Sequence, residues 1–558
     1  MQYRPDSAEA LFLLEEVLDW QGLFRLPAYA HADAETGAAV VAEGARFLGE
    51  VISPLNAPGD REGCRIENGR VHVPPALRAA YAQYAGAGWA ALDLPATIGG
   101  QALPMTVNTI LAEMLSGACA AFSMITCSTR AAAHLLVEHA PEPFSTDLAS
   151  RLGTGEAVAT IVITEPQAGT NVHAMRTRAV PAGDGSWRVS GTKIFISGGD
   201  QDIAPLTLHI VLAKTEGADG KDGLSLFVVP SVMPDANETR NSIQVVSLEH
   251  KMGLKASPTC QLSFNGAIGW RIGDHGEGLR RMFTMMNLMR MDVAIQSAGI
   301  AQAASQLAEA YAEDRRQGGD PDRGIIQFAD VRRMVNEMRS LADAARALVL
   351  ECSLQLDLSR QAETETSRAE AQAISQFLLP LCKGWISDQV IRVSSLGIQV
   401  MGGHGYITDS GMEQYLRDCR VMAIYEGANG IQALDLVMRK LRRGGGAGYD
   451  LWSARMRADL KADGSDLAHP LGEALALLDQ ASADLRKAHP AHAEAASTSY
   501  LHLCGVVAMG WMWLRIARAA TARPDAARKT ELARFFMHYI LPEAQLYHRR
   551  IEDAPLCS

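Results

Sequence analysis

The hydrophobic texture of the chain changes twice, and the two changes constrain its fold more than any other feature. Over about 156–272 the apolar residues come in short runs: 157–163, 187–190, 193–197, 206–213, 224–229, 243–246 and 260–264. Turns such as Ala182-Gly183-Asp184-Gly185 separate them, and no long helical period intervenes. That pattern predicts a small all-β domain. On either side the period is helical. Residues 1–155 give helical patterning at 11–18, 38–51, 76–87 and 105–140, broken by a Pro- and Gly-rich stretch at 54–75, and predict an N-terminal helical domain. After Gly276, helices are expected at 278–317, 326–358, 363–396 and 430–442, enough for a four-helix bundle over 273–442. Arg442-Arg443-Gly444-Gly445-Gly446-Ala447-Gly448 has the composition of a flexible linker. Beyond it, 449–558 predicts an additional, separate helical domain, with helices at 471–487, 493–520 and 525–540, the last between Pro524 and Pro542. The fold class is α+β.

Composition excludes several classes. A formal net charge of -11 argues against a nucleic-acid binder, which usually carries a basic face. The nine cysteines, Cys557 among them, are scattered and form no Cys-x-x-Cys pair, which points to a reducing compartment and a cytoplasmic protein. Acidic residues Asp6, Glu9 and Glu15 open the chain where a signal peptide would be basic and then apolar. The longest apolar run, 503–514, falls short of the roughly 20 residues that span a bilayer, so no integral membrane segment is expected.

The chemistry concentrates near residue 400. Gln399-Val400-Met401-Gly402-Gly403-His404-Gly405-Tyr406 is a Gly-rich turn that lets backbone approach a ligand closely. Arg417-Asp418 follows, and then Ile424-Tyr425-Glu426-Gly427-Ala428-Asn429-Gly430-Ile431-Gln432. Glu426 stands just before a helix-period segment. Buried in an apolar pocket, its pKa would rise and it could act as a base. The plainer reading is an N-terminal Glu that favours the helix dipole.

Two stretches of the β region stand out. Ile163-Thr164-Glu165-Pro166-Gln167-Ala168-Gly169-Thr170-Asn171 follows the first strand and offers hydroxyls and turn N–H groups, able to hold a ring edge or a pyrophosphate, or simply to end a strand. Gly191-Thr192-Lys193-Ile194-Phe195-Ile196-Ser197-Gly198-Gly199 alternates as a strand would. In the helical region, Met285-Met286-Asn287-Leu288-Met289-Arg290 has a core-like Met face, with Asn287 and Arg290 on one side. Arg315 and Arg316 suit a solvated helix end. Two histidine pairs are poor metal motifs. His134 and His139 diverge by roughly 140° on a helix. His489 and His492 lie in a polar loop without carboxylate or thiol companions.

Taken together, Gln-x-x-Gly-Gly-x-Gly-Tyr, Arg-Asp and Ile-Tyr-Glu-Gly-x-x-x-Ile-Gln resemble the C-terminal signature of the acyl-CoA dehydrogenases. The Thr-Glu-Pro-x-Ala-Gly loop, the Gly-x-Lys-x-x-Ile-Ser strand, His250-Lys251-Met252-Gly253 and Tyr311-Ala312-x-x-Arg315 also match that family. The likeness runs over roughly 40–440, and the N-terminal extension and 449–558 place it with the larger subclass, which includes enzymes acting on methylthiopropionyl-CoA and on medium or long acyl-CoAs. The resemblance implies FAD as cofactor and α,β-dehydrogenation of an acyl-CoA to a trans-2-enoyl-CoA. It further implies electron-transfer flavoprotein as acceptor and a homodimer. Glu426 would be the base. Ile163, Thr164, Gly169, Thr170, Phe195, Ser197, Arg315, Gln399, Gly402, Gly403 and Gln432 would bind the cofactor, with Phe195 on the flavin and Ser197 at its N5 edge. Arg290, Tyr425 and Gly427 would bind substrate. Two positions depart from the pattern: Ala428 replaces a Thr that helps hold FAD, and Asn171 replaces an Asp. An oxygen-using acyl-CoA oxidase-like flavoenzyme and a flavin-free scaffold of the same fold remain alternatives.

Overall fold

The computed structural model describes residues 2–142, 144–215, 223–233 and 239–554; Met1 and Cys557 lie outside them. The chain divides into two compact units, one of residues 50–103 and 119–289, the other of residues 1–49, 104–118 and 290–558.

The first unit is built on a sheet of strands β3 (Ala157–Val162), β4 (Arg178–Pro181), β5 (Trp187–Ser197), β6 (Leu206–Thr215), β7 (Leu224–Pro230), β8 (Ile243–Leu248) and β9 (Thr259–Ile272). The pairings β4–β5, β5–β9, β9–β7, β7–β6 and β6–β4 return to their start, so the sheet closes on itself. Closure pairs the strands of the ring with one another, while β3 adds to it along β6 and β8 along β9. Val189, Ile196, Val211, Phe227, Leu262 and Phe264 fill the interior, as the alternation of each strand dictates. The helix Ala120–His139 seats against β3: Ser128 Oγ donates to Ala159 O at 2.7 Å, and Thr129 Oγ1 accepts from Ala159 N at 3.2 Å. Within the stretch expected to be loop, β1 (Arg65–Glu67) and β2 (Arg70–His72) form a hairpin. Its two-residue turn, Asn68-Gly69, has φ of 51° and 74°, the left-handed pair that such a turn demands.

The second unit is helical. Its long members are Ala329–Gln361, Glu365–Leu381 and Ser387–Met401, with the Gly278–Asp314 helix entering it from Arg290 onward. The single helix expected over 363–396 is instead two helices joined by the π-helical turn Cys382–Ile386. Pro380, which lacks an N–H and crowds the preceding turn, accounts for the irregularity. Residues beyond 449 pack into this same unit rather than standing apart. Trp513 Nε1 donates to Ser340 O at 2.9 Å and Arg515 Nη1 to Glu351 Oε2 at 2.8 Å. Nor is the Gly-rich stretch before them loose. Arg442 and Arg443 end a π-helix, Gly446 (φ 77°) caps the Ala447–Ala462 helix, and Arg486 Nη2 bonds Gly446 O at 3.3 Å and Asp450 Oδ1 at 2.6 Å. A final helix, Glu543–Glu552, was not expected from the pattern.

Two helices, Ala120–His139 and Ser497–Ala522, are long and apolar enough to cross a membrane among the described residues. Each has 83% of its apolar window buried inside the protein. The 503–514 run is therefore part of a longer helix than its apolar length suggested, and burial in the core is what accounts for its composition.

Candidate active site

Glu426 lies in the helical unit on the irregular backbone that joins Arg420–Ala423 to the Asn429–Leu434 helix. It has φ of 56°, and Gly427 follows at 89°. A left-handed conformation at a residue with a Cβ costs about 1–2 kcal/mol, so the surroundings must hold it. They do so through the carbonyls. Gln432 Nε2 donates to Glu426 O at 3.2 Å and to Gly427 O at 3.3 Å. Lys383 Nζ donates to Gly427 O at 2.8 Å and to Asn429 Oδ1 at 2.9 Å. Asn429 Nδ2 in turn reaches Gly384 O (2.9 Å), Ser387 Oγ (2.9 Å) and Asp388 Oδ1 (2.7 Å).

Burial pushes the Glu426 carboxyl up to about 7; Arg290 and Lys383 pull it back down and Asp292 adds to the rise. Lys383 has no exposed surface. Burial pushes it down to about 8, against the pull of Asp388 and Glu426. Arg290 is also buried, and its guanidinium lies 4.0 Å from Asp435 Oδ2. The result is a carboxyl whose pKa is raised, with two cations in its electrostatic surroundings: a group able to accept a proton beside groups able to stabilise negative charge.

Of the residues the resemblance assigned to substrate, Arg290 stands in the electrostatic surroundings of Glu426, and Tyr425 and Gly427 are its chain neighbours. The Tyr425 hydroxyl donates to Gln296 Oε1. Gln432, assigned to the cofactor, has its amide nitrogen committed to the carbonyls of the Glu426–Gly427 turn. Ala428 is the N-cap of the Asn429–Leu434 helix and supplies no side-chain hydrogen bond, as a Thr there would. Arg417 and Asp418 bond back one turn, Arg417 Nη2 to Glu413 Oε1 at 2.8 Å and Asp418 Oδ2 accepting from Gln414 Nε2 at 3.1 Å. Lys383 and Asn429 were missed. A lone lysine inside the apolar run Phe377–Ile386 was the available signal for the first.

The Gly402–Tyr406 segment also belongs to the helical unit. A Cβ on Gly402 (φ 58°) or Gly403 would meet nothing within 4 Å, whereas one on Gly405 would lie 2.5 Å from Ile398 O. The first two glycines thus present bare backbone, and the third allows the chain to pass close to itself. Gln399 is exposed and its carbonyl accepts from Gly402 N. Tyr311 Oη lies 3.2 Å from His404 Nδ1, which brings the end of the Gly278–Asp314 helix, just before Arg315, to this segment. Arg315 itself is exposed.

In the sheet unit the other candidates gather at one end of β3 and β5. Ile194 N donates to Thr164 O at 2.9 Å, and Lys193 Nζ to Ile163 O at 2.9 Å. A bulge between Lys193 and Ile196 turns Phe195 outward, with φ of 59° and 62% exposure. Ser197 ends the strand two residues on. Gly169 and Thr170 lie on the exposed turn after Glu165. A large aromatic held outward in a strained conformation, on a strand whose Ile194 bonds Thr164 and which ends at Ser197, suits a flat conjugated ring, so the residues present fit a flavin.

The histidines expected to be poor ligands are otherwise engaged: His134 with Asp93 (3.2 Å), His139 with Thr284 (2.8 Å), His492 with Ile551 O (3.0 Å). Among the described residues no group of three or more His, Cys, Asp or Glu could hold a metal ion.

Four family models match the chain in order. They are acyl-CoA dehydrogenase N-terminal domain over 35–156, middle domain over 160–267 and C-terminal domain over 276–441, then an acetyl-CoA dehydrogenase C-terminal-like domain over 452–556. The 3-methylmercaptopropionyl-CoA dehydrogenase of Ruegeria pomeroyi is 37% identical over 99% of this chain and 98% of its own length. The structure of Caenorhabditis elegans ACDH-11 in complex with C11-CoA superimposes with a TM-score of 0.79 at 21% identity, covering 99% of this chain and 96% of that one. An acyl-CoA dehydrogenase from Bacillus anthracis, complexed with FAD, gives 0.75 at 19% identity, covering 97% and 91%.

Proposed function

The chain belongs to the acyl-CoA dehydrogenase family and is an FAD-dependent oxidoreductase of acyl-CoA thioesters, and from that premise we propose that Glu426 is the base that removes the substrate α-proton. The single observation that carries this reading is geometric: Glu426 stands on a left-handed turn (φ 56°) whose carbonyls are held by Gln432 and Lys383, with the buried cations Arg290 and Lys383 in its electrostatic surroundings. An ordinary surface glutamate is too weak a base for a thioester α-proton. Desolvation makes Glu426 a stronger one, while the cations keep the ionised form accessible near neutral pH.

In the sheet unit, Thr164, Phe195 and Ser197 would hold the flavin ring. In the helical unit, Gly402, Gly403 and Arg315 would offer bare backbone and a guanidinium to the phosphate-bearing part of an FAD held by a neighbouring subunit, as the family resemblance implies. The FAD bound at the sheet unit would supply the acceptor for the β-hydrogen of the acyl group, taken as hydride. Loss of the α-proton to Glu426 Oε completes formation of the trans-2,3 double bond. Arg290 is positioned to favour negative charge as that proton leaves.

The reading extends to partners. Electron-transfer flavoprotein is the acceptor, and a second copy of the chain completes a homodimer. Support for the dimer is a set of exposed apolar side chains in the helical unit: Tyr406 at 82%, Ile407 at 53% and Phe328 at 40%. The described cysteines are free thiols, in keeping with the cytoplasm.

Anaerobic titration with butyryl-, octanoyl-, palmitoyl- and 3-(methylthio)propionyl-CoA tests the function. Bleaching of the oxidised flavin band by one of these acyl chains establishes the dehydrogenation and identifies the substrate class. A flavin band that none of them bleaches overturns the proposed substrate.

A further inference from the structure

His502 stands on the Ser497–Ala519 helix, far in sequence from every motif read as functional. Its Nε2 lies 3.1 Å from Asp388 Oδ2. The other Asp388 oxygen accepts from Asn429 Nδ2 at 2.7 Å. Asn429 Oδ1 accepts from Lys383 Nζ at 2.9 Å, and Lys383 gives a further hydrogen to Gly427 O at 2.8 Å. A continuous set of polar contacts therefore runs from the C-terminal helical region to the peptide that follows Glu426.

The same helix also grips the π-helical turn that carries Lys383. A Cβ on Gly384 would lie 2.7 Å from Leu501 Cδ1, and one on Gly505 would lie 2.3 Å from Trp385 Cγ. Trp385 Nε1 donates to Met509 Sδ at 3.2 Å. Two glycines, one on each partner, let the backbones approach until the side chains interlock. The turn is buried throughout, so Lys383 is held in place by packing as well as by hydrogen bonds.

We propose that the C-terminal helical region positions the proton acceptor: His502 acts through Asp388 and Asn429, and Lys383 acts directly, to hold the Glu426–Gly427 turn in its left-handed conformation. This rests on the reading of Glu426 as the base. None of the four residues is a catalytic residue, because none is placed to exchange a proton with substrate. They fix where the carboxylate points, and a displacement of about 1 Å at a reacting group is enough to slow a reaction about 100-fold.

Stopped-flow flavin reduction of the FAD-loaded enzyme, with the acyl-CoA that bleaches the wild type fastest, tests it in four variants: Lys383→Met, His502→Leu, His502→Gln and Glu426→Gln. Lys383→Met removes the donor and the charge at similar volume and lowers the limiting rate about 10- to 100-fold. It also moves the acid limb of the rate–pH profile upward, because a cation beside the carboxylate is gone. His502→Leu lowers the limiting rate about 3- to 10-fold with the acyl-CoA dissociation constant little changed. His502→Gln, which keeps an N–H toward Asp388, recovers most of that loss. Wild-type rates in His502→Leu, with Glu426→Gln inactive, overturn the positioning role and leave the base intact. Activity retained in Glu426→Gln overturns the base itself. Should Lys383→Met fail to keep FAD, the comparison of the two His502 variants decides the matter alone.

Discussion

Lys193 Nζ and Glu165 Oε1 form an ion pair 3.0 Å apart, with 0% and 3% of their side chains exposed. The lysine also donates to the carbonyls of Ile163 and Leu212, each at 2.9 Å. The glutamate accepts from Arg176 N (2.6 Å) and Thr177 N (3.0 Å). The pair therefore ties β5 to the turn that carries Gly169 and Thr170. Removing one partner leaves an uncompensated buried charge, which costs about 3–5 kcal/mol. Lys193→Met is expected to lower the thermal midpoint sharply and to shed FAD. A differential scanning measurement beside a flavin absorbance ratio checks both, and an unchanged midpoint would refute the structural role.

Acid should undo the same pair. Burial alone would raise the Glu165 carboxyl, yet Lys193 and the hydrogen bonds from Thr177 and Arg176 hold it at about 2, below its ordinary 4.5. A carboxyl depressed in the folded state adds stability that is present above its unfolded value and is lost as pH falls toward the folded one. Stability of the wild type is expected to decline from about pH 4.5 toward pH 2, and Glu165→Gln should flatten that slope. Urea midpoints measured across the window provide the check; parallel slopes would count against it.

Glu426 titrates in the opposite sense. Its carboxyl is raised to about 7, so the protonated, inactive form predominates below that value. Flavin reduction by acyl-CoA is expected to rise with pH through about 7 and then level off. Transient kinetics from pH 5.5 to 9 would show it. A rate already at its plateau at pH 5.5 would mean that this carboxyl does not limit proton removal.

The glycines at 403 and 405 make separable predictions. Gly405→Ala places a Cβ 2.5 Å from Ile398 O and should destabilise the fold. Gly403→Ala meets nothing within 4 Å and needs no left-handed φ, so the unfolding free energy of the apoprotein should stay within about 0.5 kcal/mol of wild type. Its FAD dissociation constant should nevertheless rise, because the added methyl stands where cofactor is to approach bare backbone. Unchanged FAD affinity in Gly403→Ala would remove that segment from the cofactor site.

Much of the architecture was legible because it follows from period. The β region announces itself through short apolar runs, and the bundle through a 3.6-residue repeat. Asn68-Gly69 carried a hairpin signal that the surrounding prolines and glycines obscured. Pro380 marked the interruption of a helix whose apolar pattern runs on regardless. Glu426 could be singled out from its neighbours in sequence, but its environment could not. Lys383, Asp388, Asn429 and His502 meet only because helices distant in sequence pack together, and local pattern holds no record of that. The Gly-rich stretch at 444–448 misled for the same reason: composition suggested looseness, while Arg442 and Arg486 tie it to the 468–487 helix and to its own flank.

The measurement that tests the central claim most directly is anaerobic single-turnover flavin bleaching by acyl-CoA in Glu426→Gln, with FAD content confirmed by absorbance. Removing a general base should slow bleaching by about two to four orders of magnitude while the flavin stays bound. Bleaching at close to the wild-type rate would show that another group takes the α-proton.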